Sequence, residues 1–104
     1  MILSNTESLP GHSITRHIGL VQGNTVRAKH VGRDLMAGLK NIVGGELKGY
    51  TELLEDARQE ATHRMIENAK AQGANAIVNV RFSTSAITSG ASELYVYGTA
   101  VVVG

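Results

Sequence analysis

The sequence predicts an α+β fold: a mostly antiparallel sheet packed against one short and one long helix, in the order β-β-α-α-β-β. Three observations predict it. Residues 50–72 carry apolar side chains at steps of three and four, the period of a helix. Residues 76–83 and 93–103 alternate with a period of two, the period of a strand. Strand-like stretches stand both before and after the helical ones, and they are the natural cover for an apolar helical stripe.

Taken in order, residues 1–6 read as a short strand and Leu9-Pro10-Gly11 as a turn. Residues 12–22 are extended, with Ile14, Ile18 and Leu20 on one parity, and Thr25 to Val31 alternates again. Gly23-Asn24 between them signals a turn or a bulge. One bent strand over 12–30 is preferred to a hairpin about Gly23-Asn24. The short helix runs from Gly32 to Val43, with Leu35, Met36, Leu39, Ile42 and Val43 on one face, and Gly44-Gly45 ends it. The long helix runs from Tyr50 to Gln72. Leu54, Ala57, Ala61, Met65 and Ala69 form its apolar face, widened by Leu53 and Ile66, and charged side chains occupy the other side. Thr51 reads as its N-cap, and Gly73 can take the left-handed conformation that ends a helix.

Beyond Gly73, Ala76, Val78, Val80 and Phe82 share one strand face, and Ile77, Asn79, Arg81 and Ser83 share the other. The helix face is expected to pack on Val78, Val80 and Phe82 or on the opposite parity. Thr84 to Ser92 is small and polar and reads as a loop. In the last strand, Glu93 to Val103, both faces are largely apolar: Leu94, Val96, Gly98, Ala100 and Val102 on one, Tyr95, Tyr97, Thr99, Val101 and Val103 on the other. Two consecutive helices joined by a short linker cover only one sheet face. The second face is therefore expected to be buried by another copy of the chain, with Tyr95, Tyr97, Val101 and Val103 between subunits.

Composition narrows the function. The 104 residues suit a single domain, 1–104. A net charge of +1 and only four aromatic residues, none of them Trp, argue against a nucleic-acid partner. The chain has no cysteine, which excludes disulfides, thiolate catalysis and zinc–thiolate sites. No signal-like segment or membrane-length apolar run stands in the sequence, so a cytoplasmic protein away from the membrane is expected.

No residue pattern names an enzyme or a cofactor. His12 and His17 are five apart in an extended stretch and point to opposite faces; His30 is unpaired. Glu60, His63 and Glu67 share a helix face that could hold a divalent ion, but a solvated, charge-paired face is the simpler reading. Gly44-Gly45 and Gly49 lack the Gly-Lys-Ser/Thr ending of a phosphate-binding loop. Arg33-Asp34 and Arg58 suit structural ion pairs, and Arg81 could pair with Glu93 if their strands are antiparallel neighbours.

The ordered set of motifs resembles the YbjQ family of small bacterial proteins. It comprises Leu9-Pro10-Gly11, Gly19-Leu20-Val21-Gln22-Gly23, Gly32-Arg33-Asp34, Gly44-Gly45, Gly49-Tyr50 with Leu54, and Ala57-Arg58. Gly73-Ala74-Asn75-Ala76-Ile77, Arg81-Phe82 and Tyr97-Gly98-Thr99-Ala100-Val101 complete it. The resemblance implies a subunit dodecin-like in outline and a ring-shaped homo-oligomer, a pentamer. It also implies that Arg33, Asp34, Tyr50, Arg58 and Arg81 either hold the subunit together or line a shared pocket. The family is labelled heavy-metal-binding, yet soft metals favour thiolate and this chain has none. The expected function is a non-catalytic, homo-oligomeric ring that binds a ligand or partner; the alternative is a metal-ion-binding protein using His and carboxylate ligands.

Overall fold

Two strands far apart in sequence, one near each end of the chain, lie side by side and make the floor on which a long helix rests. The computed structural model describes residues 1–27, 42–43, 46–88 and 91–104. Its strands are β1 (Ile2–Leu3), β2 (Ile14–Arg27), β3 (Ile42–Val43), β4 (Glu46–Leu47), β5 (Ala76–Thr88) and β6 (Ala91–Val103), and helix α1 (Lys48–Ala71) precedes β5. Four strands form one sheet in the order β1-β5-β6-β2. β6 is antiparallel to both β5 and β2, and β1 runs parallel to β5.

The fold is α+β, but the predicted order β-β-α-α-β-β is corrected to β-β-α-β-β for the four-stranded sheet and its helix, with the short β3 and β4 ahead of that helix and a single helix among the described residues. Residues 32–41 of the expected short helix lie outside the described residues. Its last two, Ile42–Val43, are strand and pair antiparallel with Glu46–Leu47. β-branched Ile42-Val43 ahead of Gly44-Gly45 are a hairpin signal as well as a helix ending. The bent strand over Gly23-Asn24 is found: β2 keeps its register with β6 from Gly19 to Arg27. The expected loop over Thr84–Ser92 is mostly strand, because β5 runs to Thr88 and β6 begins at Ala91.

Helix α1 buries Ala57, Ala61, Met65 and Ala69, as its spacing predicts, whereas Leu54 is exposed. Ala61, Met65 and Ala69 join Val21, Ala74, Ile77, Val96 and Ala100 in the main core. A stripe of alanines lets the helix approach the sheet closely, and it does so at Gly23. A Cβ there would collide with the Ala61 carbonyl oxygen and the Met65 amide nitrogen. From the same contact the helix seals the outer edge of β2, whose only partner strand among the described residues is β6. Arg64 Nη1 donates to the Asn24 carbonyl at 2.6 Å and Asn68 Nδ2 to the Gln22 carbonyl at 2.7 Å.

The helix begins at Lys48, so Thr51 lies within it and is not the N-cap. Its end follows the prediction: Gly73 has φ 88°. The Gly73 amide donates to the Lys70 carbonyl at 3.0 Å and the Ala74 amide to the Ala69 carbonyl at 3.1 Å, a Schellman ending. Asn75 then extends the sheet with its side chain. Its Nδ2 donates to the Val103 carbonyl at 2.9 Å, and its Oδ1 accepts from the Val103 amide at 2.8 Å. Asn75→Ala removes both bonds and is expected to destabilise by about 1–3 kcal/mol in urea unfolding; an unchanged midpoint would show that water replaces them without loss.

The parity of β5 is split. A bulge at Asn79–Val80, with Asn79 at φ 55°, shifts the register between Val78 and Arg81. Before it, Ile77 faces the helix and Val78 the other side; after it, Val80 and Phe82 lie on the helix side. The expected face Val78, Val80 and Phe82 is therefore divided. Away from the helix, Ala76, Val78, Val101 and Val103 form a second cluster beneath Leu9. The segment ahead of β2 is thus a cover for that end of the sheet.

Candidate functional site

Among the described residues, the sheet face opposite α1 is covered only at one end, and its remainder is polar and aromatic. Register builds it in rows across three strands. Arg81, Tyr97 and Gln22 stand opposite one another, then Ser83, Tyr95 and Asn24, then Ser85, Glu93 and Val26. Directly opposed residues of antiparallel strands point to the same face. Tyr95 and Tyr97, two apart on β6, stack with ring centroids 5.1 Å apart and an interplanar angle of 23°. Both are half-buried. Asn24 Nδ2 donates to Glu93 Oε2 at 3.0 Å. Gln22, Asn24, Glu93 and Tyr95 line an open depression of about 380 Å³. Two apolar side chains of β2 flank this face in solvent, Leu20 at 71% and Val26 at 51% exposure.

The candidate residues separate. Tyr95 and Tyr97 lie together on the uncovered face. Val101 and Val103 are 2% and 7% exposed in the single chain, so their cover is the chain's own Leu9 segment. Arg81 is on the tyrosine face but turns toward the chain start, Nη1 donating to the Asn5 carbonyl at 2.7 Å and to the Val80 carbonyl at 3.0 Å. It does not pair with Glu93, which stands opposite Ser85. Arg58 is exposed on α1, on the other side of the sheet. Tyr50 falls in the first turn of α1, and Arg33 and Asp34 lie outside the described residues. Arg58 and Arg81 therefore share no pocket. Gln22 and Asn24 are the residues that sequence reasoning passed over, and it offered Glu93 only as a partner for Arg81. Their parity was readable, but only the pairing of β2 with β6 sets them beside the tyrosines.

The metal candidates are also dispersed. Glu60 pairs with Arg64 at 2.5 Å and Glu67 with Lys70 at 3.9 Å on the exposed helix face that carries His63. His17 stands opposite Val101, and His12 lies in the turn where its amide donates to the Leu9 carbonyl at 3.0 Å. His30 lies outside the described residues. Among the described residues no three of His, Cys, Asp and Glu stand together to hold an ion.

Fold and face define a small α+β protein with a helix on one side of its sheet and a tyrosine-bearing face on the other. The chain belongs to the YbjQ family, described as "Putative heavy-metal-binding", which it matches over residues 1–104. It is 67% identical to a UPF0145 protein of Hahella chejuensis over 98% of each chain. A UPF0145 protein of Acinetobacter baylyi is 70% identical over 91% of this chain and 88% of its own. One from Archaeoglobus fulgidus is 59% identical over 97% and 94%. The fold is similar to the crystal structure of a DUF74-family protein of unknown function from Pediococcus pentosaceus. That match has a TM-score of 0.66 and 12% identity, covering 100% of this chain and 98% of the other. No helix among the described residues is long and apolar enough to cross a membrane.

The family's description implies a heavy metal, and the residues described here do not fit one. Soft ions favour thiolate, absent from the whole sequence, and the described imidazoles and carboxylates do not converge.

Proposed function

We propose that the protein is a non-catalytic homo-oligomer that closes into a ring and binds a ligand or partner, with the tyrosine face of the sheet buried between subunits. The observation that carries this reading is the stacked Tyr95–Tyr97 pair on a face that the helix leaves bare, flanked by exposed Leu20 and Val26. Tyrosines concentrate at protein interfaces because a flat apolar ring and a hydrogen-bonding hydroxyl serve a surface that is wet in one state and dry in the other. Gln22, Asn24 and Glu93 would provide the polar contacts around them. Five subunits is the number that the family resemblance supplies, and rotation about one axis closes such a ring through head-to-tail contacts. The cytoplasm is the proposed location.

Sedimentation of the wild-type protein is expected to give a particle about five times the 11.0 kDa subunit. Tyr97→Asp places a charge in the contact and is expected to shift the mass toward monomer, more so on dilution. A wild-type mass of one subunit at micromolar concentration would overturn the proposal.

A further inference from the structure

On the helix side of the sheet, Arg58, Gln59, Thr62, His63 and Ile66 of α1 and Phe82 of β5 line an open groove of about 440 Å³. Small-ligand sites commonly have this size. Its base is Ile66, half-buried against the main core. Its wall is Phe82, the only phenylalanine in the sequence, and half of that side chain stays exposed. The bulge at Asn79–Val80 puts it there: strict alternation would have set Phe82 with Ala76 and Val78 on the other face. An aromatic ring held half in water beside an apolar helix flank gains from any flat apolar group laid on it.

The rim is cationic. Among the described residues the Arg58 side chain makes no hydrogen bond or ion pair, unlike Arg64 on Glu60 and Asn24 or Arg81 on Asn5. No carboxylate is among the described lining residues, and Gln59 and His63 add further polar groups. A guanidinium with no partner among the described residues, at the mouth of an apolar slot, is the complement of a planar anion, since its fork of N–H groups matches a carboxylate in two parallel bonds. A neutral aromatic would leave that charge unanswered.

We infer that this groove binds a small aromatic carboxylate, its ring against Phe82 and Ile66 and its carboxylate on Arg58. The lining described here comes from one subunit and uses neither tyrosine, so this inference stands or falls apart from the ring assembly. The test is titration of the isotope-labelled full chain with 2-naphthoate, followed by NMR. Saturable shifts are expected at the Phe82 ring, the Ile66 methyls and the Arg58 side chain. Arg58→Gln is expected to weaken binding about tenfold, as is replacing the probe by uncharged 2-naphthamide, because a charge-assisted bond is lost in each case. Lys70→Gln, another cation on α1 but outside the groove, should leave affinity unchanged. Phe82→Leu, which keeps an apolar side chain but no ring, should weaken it several-fold. The inference is overturned by the absence of saturable shifts at millimolar probe or by shifts confined to Tyr95 and Tyr97. It is also overturned by naphthamide binding as tightly as naphthoate, or by Arg58→Gln binding as tightly as wild type. Both groove substitutions are at exposed side chains, and the same spectra report whether each variant is folded.

Discussion

Met65→Asp is expected to abolish cooperative folding. Met65 is fully buried, at 0% exposure, where α1 meets Val21, Ile77 and Val96. A carboxylate placed there would have no cation to meet it among the described residues. Arg64, the adjacent residue, is committed to Glu60 and to the Asn24 carbonyl at the sheet edge. Burying an unpaired charge typically costs more than about 4 kcal/mol, a large part of the roughly 5–15 kcal/mol that stabilises a domain of this size. Met65→Leu separates charge from shape. It conserves volume and should cost less than about 1.5 kcal/mol. Circular dichroism during heating and in urea measures both. A wild-type midpoint for the aspartate variant would mean that the helix buries a different face.

The second large effect is expected at Gly23. Gly23→Ala adds one carbon, and that carbon meets the Ala61 carbonyl oxygen and the Met65 amide nitrogen, which are backbone atoms of α1 and cannot swing aside. The helix must lift from β2, which opens the contacts of Ala57, Ala61 and Met65 together and weakens the grip of Arg64 and Asn68 on the strand edge. A loss of about 3 kcal/mol or more follows, at the upper end of overpacking effects. Gly19→Ala is the comparison. Gly19 has open space around it, but its φ of 141° is a conformation that side chains avoid, so the loss there is confined to local strain of about 1–2 kcal/mol. Urea unfolding of the two variants should rank Gly23→Ala as the more damaging; the reverse order would show that the helix shifts freely over the sheet.

These two positions also mark what could be read from the residues. Met65 was legible because its neighbours in space, Ala61 and Ala69, are neighbours in helical period, and local periodicity is a local property. The ending at Gly73 was legible for the same reason. Gly23 reads as a turn or bulge, because a glycine required by a helix from 38 residues further on looks the same in sequence as one required by its own backbone. The bulge at Asn79–Val80 interrupts an alternation that looks unbroken from Ala76 to Phe82, so local spacing groups on one face residues that the folded strand divides between two. Leu9, read as part of a turn, closes the end of the sheet over Val101 and Val103, a contact spanning more than 90 residues. The small polar run after Phe82 carries Thr84, Ile87 and Thr88, β-branched residues that favour strand once a partner lies alongside. The tyrosines of the candidate site were visible on their own strand; their companions on β2 came only with the register.

One of the two inner strands of the sheet, β6, is made after every other strand described. β2 ends at Arg27, and β6, its one partner strand among the described residues, starts at Ala91. At roughly 5–20 residues per second, a ribosome leaves β2 waiting several seconds for that partner. Throughout that interval the strand is a nascent segment with Val21 uncovered and its hydrogen-bonding groups unpaired, and α1, which later seals its edge, emerges first. Neighbouring nascent chains on one messenger would offer the same segment to one another. Chaperone contact during translation should therefore concentrate on residues 14–27, and slowing elongation between Arg27 and Ala91 should raise the aggregated fraction of newly made chains.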